Sequence, residues 1–327
     1  VAQLEALRNK LEGYLFESNG RTVRITASMG VAAISETSAN PTEAIDRAHR
    51  IADQLSTDGG NAIKVFDPLE ELAMQANRGD LIALIRHTLE TNGFRLLFQP
   101  IISLRGDEAE NYETFLRLLN SKGEEVPASE FLPAAMEAGL ALEIDRWLIS
   151  RAGKLLSNHR SKGAETHLLL NLSAASLQSP DMVQWIAAIL KEARLPADAI
   201  IFQFNDADIN TYLKQAKVHT DALRQIHCRV SISHFGGALN HYASLKHVQA
   251  DYIQIDGSFT RDLSTAAAVD TLKEMISALH NQGKLTIAPY VDSATMMPTL
   301  WQAGVNYIQG SYLQAPSDAM KYDFSAE

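Results

Sequence analysis

The sequence contains one cysteine, Cys228. A lone thiol excludes an internal disulfide, reads as an inert core residue, and points to a reducing, cytoplasmic setting. Long apolar runs are also missing: none reaches the roughly 18 residues that a membrane-spanning helix needs. Basic clusters are absent too. The chain carries 29 Lys and Arg against 39 Asp and Glu, a net charge of -10. That removes the footprint for nonspecific nucleic-acid binding but leaves room for a small anionic ligand at a local arginine. No cationic start is followed by an apolar stretch, so no signal peptide is expected. The first residue, Val1, reads as the start of a fragment of a longer chain.

What is present is apolar surface, 46% of 327 residues, enough for one large domain and a smaller piece. Residues 1–67 read as helix, strand, strand, helix, strand. Leu4, Leu7 and Leu11 share a helical face, and Gly30 interrupts the β-rich run TVRITASMGVAAI as a kink. Residues 68–92 read as a connecting helical segment, with Leu81, Leu84, Ile85 and Leu89 as its packing stripe.

Residues 93–327 have a regular rhythm of short, continuously apolar runs, the pattern of strands buried on both faces. Eight such runs can be counted, from FRLLFQPIISL to YIQGSYL, and helical patterns fill the later gaps. The fold class is therefore α/β, a TIM-like (β/α)8 barrel. Only the short polar turn RGDEAE joins the first two strands. A parallel crossover needs a dozen or more residues, so this first strand pair is expected to be antiparallel.

In such a barrel the site lies at the carboxyl ends of the strands. Those ends read Gln99, Glu113 and Arg117, Asn171, Gln203, Ser233-His234, Gln254 and Asp256, Pro289 and Gln309. This is a ring of amides with few acids. A two-metal hydrolase needs several carboxylates, because each cation requires anionic oxygen ligands. The histidines His234, His241 and His247 match no common zinc spacing. No metal and no cofactor are expected.

The motifs LLFQPIISL, ETFLR, NLSAASLQ, HFGG, IQIDGSF and YIQG occur in the order and spacing of one family. Through them the chain, from about residue 80 to about residue 320, resembles the EAL domain, the cyclic di-GMP phosphodiesterase fold, whose barrel also begins with an antiparallel pair. Residues 1–67 resemble the second half of a GGDEF (diguanylate cyclase) domain through ITASMGVAAI and GGNAIKVFDP, a partial α+β segment without the signature loop.

The resemblance also exposes departures. The signature Glu-Ala-Leu is Glu113-Thr114-Phe115 here. The family's metal-binding glutamate on the fourth strand is Gln203, and its Asp-Asp pair on the fifth is Ser233-His234. The lysine that handles the attacking water is Gln254, and the glutamate on the seventh strand is Pro289. Asp206 matches the glutamate that orders a catalytic loop. Loss of one general base alone costs about 10²–10⁴ in rate, so the resemblance implies a degenerate site with no catalytic residues.

The nucleotide-holding half persists. The resemblance implies that Gln99, Phe115, Leu116, Arg117, Asp145, Asn171, Gln309 and Pro316 bind cyclic di-GMP. In this picture Arg117 forks onto a phosphate, Phe115 and Leu116 form apolar walls, and Asp145 accepts from a guanine edge. It further implies a receptor of type IV pilus assembly and twitching motility. Such a receptor is read by a PilZ-domain adaptor, with a pilus assembly ATPase reached through that adaptor. Self-association and a polar cytoplasmic location follow the same resemblance. Three classes of function therefore stand: a metal-free nucleotide receptor, a nucleotide-independent protein scaffold, and a metal-dependent phosphodiesterase. Retained Gln99, Arg117 and Gln309 favour the first, and the missing acids oppose the third.

Overall fold

The computed structural model describes residues 2–18, 21–32, 41–57, 59–237, 242–261, 263 and 265–325. His241 lies outside them. The chain divides into two compact units, Val1–Asp80 and Leu81–Glu327.

The first unit runs α1 (Ala2–Glu12), β1 (Leu15–Ser18), β2 (Arg21–Arg24), β3 (Met29–Val31), α2 (Pro41–Thr57), β4 (Ile63–Val65) and the start of α3 (Pro68–Glu90). β1 and β2 form an antiparallel hairpin, and β3 and β4 pair in parallel. The β-rich run holds two separate strands, β2 and β3. Gly30 has a different reason from a kink. A Cβ there would stand 1.9 Å from the Ala48 carbonyl oxygen of α2, so only glycine lets that helix sit on the strand.

The second unit begins within α3, where Leu81, Ile82, Leu84 and Leu89 lie against the barrel core and Ile85 is fully buried. Then follow β5 (Arg95–Ser103), β6 (Glu110–Leu119), β7 (Glu125–Pro127), α4 (Ala128–Glu137), α5 (Ala141–Arg160), β8 (Thr166–Asn171), α6 (Ala174–Gln178), α7 (Met182–Glu192), β9 (Ile200–Asn205), α8 (Asp206–Thr211) and α9 (Leu213–Gln225). The unit closes with β10 (Arg229–Phe235), β11 (Tyr252–Ile255), α10 (Ser258–Arg261), α11 (Ala266–His280), β12 (Leu285–Ala288), α12 (Met297–Ala303) and β13 (Tyr307–Ile308).

Strands β5, β6, β8, β9, β10, β11, β12 and β13 close into a barrel. β5 runs antiparallel to both its neighbours, and all other barrel pairs are parallel. The short β7 adds to the edge of β6, an element the sequence reading lacked. The thiol of Cys228 is buried, and burial pushes its pKa up to about 12, so it stays protonated.

Side chains alternate across a strand with period two, and this alternation builds the interior in layers. Ile101, Leu169, Ile201, Tyr252, Ile287 and Tyr307 form one buried apolar layer inside the barrel. Two residues along each strand, toward the carboxyl ends of the parallel strands, stand Gln99, Asn171, Gln203, Gln254, Pro289 and Gln309. One step in register therefore takes the barrel interior from dry to polar.

Candidate nucleotide site

A cleft of about 730 Å³ opens over this polar layer, within the range of small-ligand sites. Its floor includes Gln99, Glu113, Asn171, Gln254 and Gln309, and its walls include Phe115, Leu132, Met136, Tyr290 and Pro316.

Glu113 lies at the centre of the floor and is 5% exposed. Asn171 Nδ2 donates to its Oε1 at 2.6 Å, and Gln254 Nε2 donates to its Oε2 at 3.0 Å. Gln203 Nε2 adds a longer bond to Oε1 at 3.5 Å. Burial raises the Glu113 pKa, and the hydrogen bonds from its amide neighbours partly offset that rise.

The amides also bond to one another in one direction. Gln203 Nε2 donates to Gln254 Oε1 at 3.3 Å, Gln254 Nε2 to Gln309 Oε1 at 3.1 Å, and Gln309 Nε2 to Gln99 Oε1 at 3.0 Å. Gln99 Nε2 ends the chain on the Gln314 carbonyl at 2.9 Å. A backbone carbonyl only accepts, so Gln99 must present its nitrogen there, and the orientation of each amide upstream follows. Ser231 Oγ donates to Gln203 Oε1 at 2.6 Å, and Gln203 Nε2 donates to Asn171 Oδ1 at 2.7 Å.

The floor offers a divalent cation one carboxylate, Glu113, set among amides. A cation needs oxygen lone pairs turned toward it. Here N–H groups donate to both Glu113 oxygens, and the amide oxygens accept from neighbouring N–H groups and from the Ser231 hydroxyl. Among the described residues no three His, Cys, Asp or Glu side chains converge as metal ligands.

The eight residues named for nucleotide contact fall into two groups. Gln99, Phe115, Asn171, Gln309 and Pro316 line the cleft. Leu116, Arg117 and Asp145 do not. Leu116 is 6% exposed and belongs to the core outside the barrel wall. Alternation along β6 sends Glu113 and Phe115 inward and Leu116 outward, so its side chain is not a cleft wall.

Asp145, expected at a guanine edge, lies outside the cleft lining. It is 2% exposed, and its Oδ2 accepts from Ser173 N at 3.0 Å, Ser173 Oγ at 2.7 Å and Ser176 Oγ at 2.6 Å. It fixes the turn between β8 and α6, which carries cleft residues Leu172, Ser173 and Ala174. Burial raises its pKa to about 6 against these bonds.

Arg117 stands beside the cleft. Its Nη1 donates to the Leu116 carbonyl at 3.0 Å, its Nε is 4.0 Å from Glu125 Oε2, and its Cζ is 5.7 Å from the Phe115 ring centroid. The unpredicted β7 supplies Glu125, which also pairs with Arg95 at 2.9 Å.

Sequence reasoning missed Tyr290, Met136, Asp208 and Asp292 on the cleft. Tyr290 follows Pro289 at the end of β12 with φ 59 and is 41% exposed. The Arg261 guanidinium lies 4.2 Å from its ring centroid. A Cβ on Gly257 would meet the ring at 2.6 Å, so that glycine makes room for it. Position after a strand end was its one sequence signal. Asp206 is buried and accepts from Ser244 Oγ at 2.6 Å, which ties α8 to the segment after β10.

Residues 83–316 match the EAL domain family. Among solved structures, the chain is similar to the FimX EAL domain of Pseudomonas aeruginosa bound to c-di-GMP. It is 53% identical, with a TM-score of 0.72 over 75% of this chain and 99% of that one. The Xanthomonas citri FimX EAL domain in complex with c-diGMP is 29% identical, with a TM-score of 0.72 over 77% of this chain and 99% of that one. Among curated proteins, the cyclic di-GMP phosphodiesterase PdeF of Escherichia coli K12 is 30% identical over 74% of this chain and 33% of its own length. An uncharacterized 76.5 kDa protein of Thiocystis violacea is 26% identical over 99% of this chain and 47% of its own length. The chain thus spans less than half the length of either curated relative.

Proposed function

The chain belongs to the EAL domain family, and from that premise we propose that its FimX-like barrel is a cyclic di-GMP receptor that binds without divalent metal and does not hydrolyse its ligand. The observation that carries this reading is the amide cage on Glu113. Asn171 and Gln254 donate to its two oxygens at 2.6 and 3.0 Å, where a hydrolytic site needs those lone pairs for a cation. The hydrogen-bonding groups at the reacting end of the cleft are thereby engaged with one another, while the apolar walls Phe115, Leu132, Met136 and Pro316 stay open to a base. Arg117, held beside the cleft by the Leu116 carbonyl and Glu125, is the guanidinium that meets a phosphate.

Charge arithmetic supports metal-free binding. An uncompensated carboxylate and phosphate about 4 Å apart repel by ~1 kcal/mol in water and ~4 kcal/mol at an effective dielectric near 20. Gln203, Ser233, Gln254 and Pro289 bring no such charge to the floor. The likeness to two FimX EAL domains solved with cyclic di-GMP bound supports the ligand class.

The test is hydrolysis by the purified chain with Mg²⁺ or Mn²⁺. Ligand binding without linear product is the expected result. Product that scales with protein concentration across independent preparations overturns it.

We propose further that the loaded barrel is read by a protein partner, a PilZ-domain adaptor in type IV pilus assembly and twitching motility, with a pilus assembly ATPase beyond it. Residues 1–67 act as a degenerate GGDEF half that makes no nucleotide and serves self-association. Resemblance supports these assignments. Co-purification with a cognate PilZ protein, and incubation of the chain with GTP, test them.

A further inference from the structure

We infer that His234, set by Asp256, contacts the second phosphate of the bound nucleotide and makes the affinity depend on pH. This rests on the receptor reading above and adds to it a residue that the family pattern does not supply.

The backbone presents His234 deliberately. Pairing of β10 with β11 shifts register between Ile232↔Ile253 and Phe235↔Ile255, so β10 carries one extra residue over this step. Such a bulge re-aims a side chain. His234 takes φ 53 within it, a left-handed conformation that few side chains adopt. Ser233 and Phe235 on either side are buried, while the His234 side chain is 53% exposed and lines the cleft.

The ring is then oriented. Asp256 Oδ1 accepts from Ser258 N at 3.0 Å and from Ser258 Oγ at 2.6 Å. That fixes the carboxylate and aims Oδ2 at His234 Nδ1, 3.4 Å away. Among the described residues Nε2 has no hydrogen-bond partner. With Nδ1 facing a carboxylate, a protonated ring offers its Nε2–H to an anion in the cleft.

The charge balance calls for such a group. Cleft-lining carboxylates are Glu113 on β6, Asp208 on α8 and Asp292 after β12, with Asp256 behind the ring. Arg261 is engaged over Tyr290. Among the described cleft-lining residues His234 is the one side chain able to become positive. A cyclic dinucleotide brings two phosphates. Arg117 can meet one, and His234 on β10, three strands around the barrel from β6, can meet the other. Histidine changes charge between about pH 5 and about pH 8.

The experiment is titration with cyclic di-GMP in EDTA at about pH 5.5 and about pH 8, using wild type, His234→Asn and Asp256→Asn. Asparagine tolerates the left-handed backbone, and thermal unfolding confirms the fold of each variant. Wild type is expected to bind roughly ten-fold tighter at the lower pH, the scale of one charge-assisted hydrogen bond. His234→Asn should lose most of that slope and bind roughly ten-fold more weakly than wild type at the lower pH, the residual slope belonging to Glu113. Asp256→Asn, which removes the carboxylate facing Nδ1, should reduce the pH slope while leaving thermal stability in place, a readout that a merely structural role would not move. An unchanged slope and affinity in His234→Asn overturn the inference while the receptor reading stands. No binding by wild type at either pH overturns both.

Discussion

Gln254 Nε2 stands 3.0 Å from Glu113 Oε2 and 3.1 Å from Gln309 Oε1, so one amide nitrogen holds the buried carboxylate and continues the glutamine chain. Gln254→Leu removes both bonds and leaves an acceptor on each side without its donor. Each unsatisfied group costs about 1–3 kcal/mol, so urea denaturation should show a loss of ~2–5 kcal/mol. A loss under ~0.5 kcal/mol, the range of an ordinary surface change, contradicts the cage.

Phe115 and Leu116 are neighbours on β6 with opposite tasks. Phe115→Ala should weaken cyclic di-GMP binding with a modest effect on stability. Leu116→Ala opens a core cavity and should lower unfolding free energy by about 2–5 kcal/mol, with little effect on the affinity of the folded protein. Paired denaturation and titration experiments distinguish the two. Equal loss of affinity in both variants contradicts the assignment.

Arg117 is restrained by Glu125, 4.0 Å from its Nε. Arg117→Ala should weaken nucleotide binding by ~1.5–3 kcal/mol, the scale of a hydrogen bond to a charged group. Glu125→Gln releases the guanidinium and should tighten binding about two- to five-fold, since a part-exposed ion pair contributes up to ~1 kcal/mol. Unchanged affinity in Arg117→Ala, or weaker binding in Glu125→Gln, contradicts the anchor role.

Asp145 ties stability to pH. Burial raises its folded pKa to about 6 from an ordinary 3.8. The folded state therefore holds the proton more tightly than the unfolded state. The stability it contributes is fully present below about pH 4 and is lost as pH rises through about 6. At 1.36 kcal/mol per unit the loss approaches ~3 kcal/mol. Asp145→Asn does not titrate. Between about pH 4 and about pH 8, wild type should therefore lose that amount relative to the variant, measured by denaturation at each pH. A flat difference contradicts it.

The barrel was legible in the sequence because doubly buried strands leave continuous apolar runs, and a six-residue turn such as RGDEAE allows only a hairpin. The floor was legible because Gln99, Gln203, Gln254 and Gln309 each fall two residues beyond an interior apolar position. Applied to ETFLR, the same period separates Phe115 from Leu116, and the apolar pair was assigned to one surface only because alternation was not carried through the motif. Asp145 Oδ2 accepts from Ser173 and Ser176, 28 and 31 residues away in sequence. Long-range hydrogen bonds leave no local pattern. Tyr290 was missed for a similar reason: its place on the cleft depends on a left-handed backbone and on the space above Gly257.

The most direct test of metal-free recognition is calorimetric titration of the chain with cyclic di-GMP, once in excess EDTA and once in Mg²⁺. The amide cage on Glu113 requires the same affinity in both, micromolar or tighter, which corresponds to at least ~8 kcal/mol. Binding that appears in Mg²⁺ and vanishes in EDTA contradicts the account.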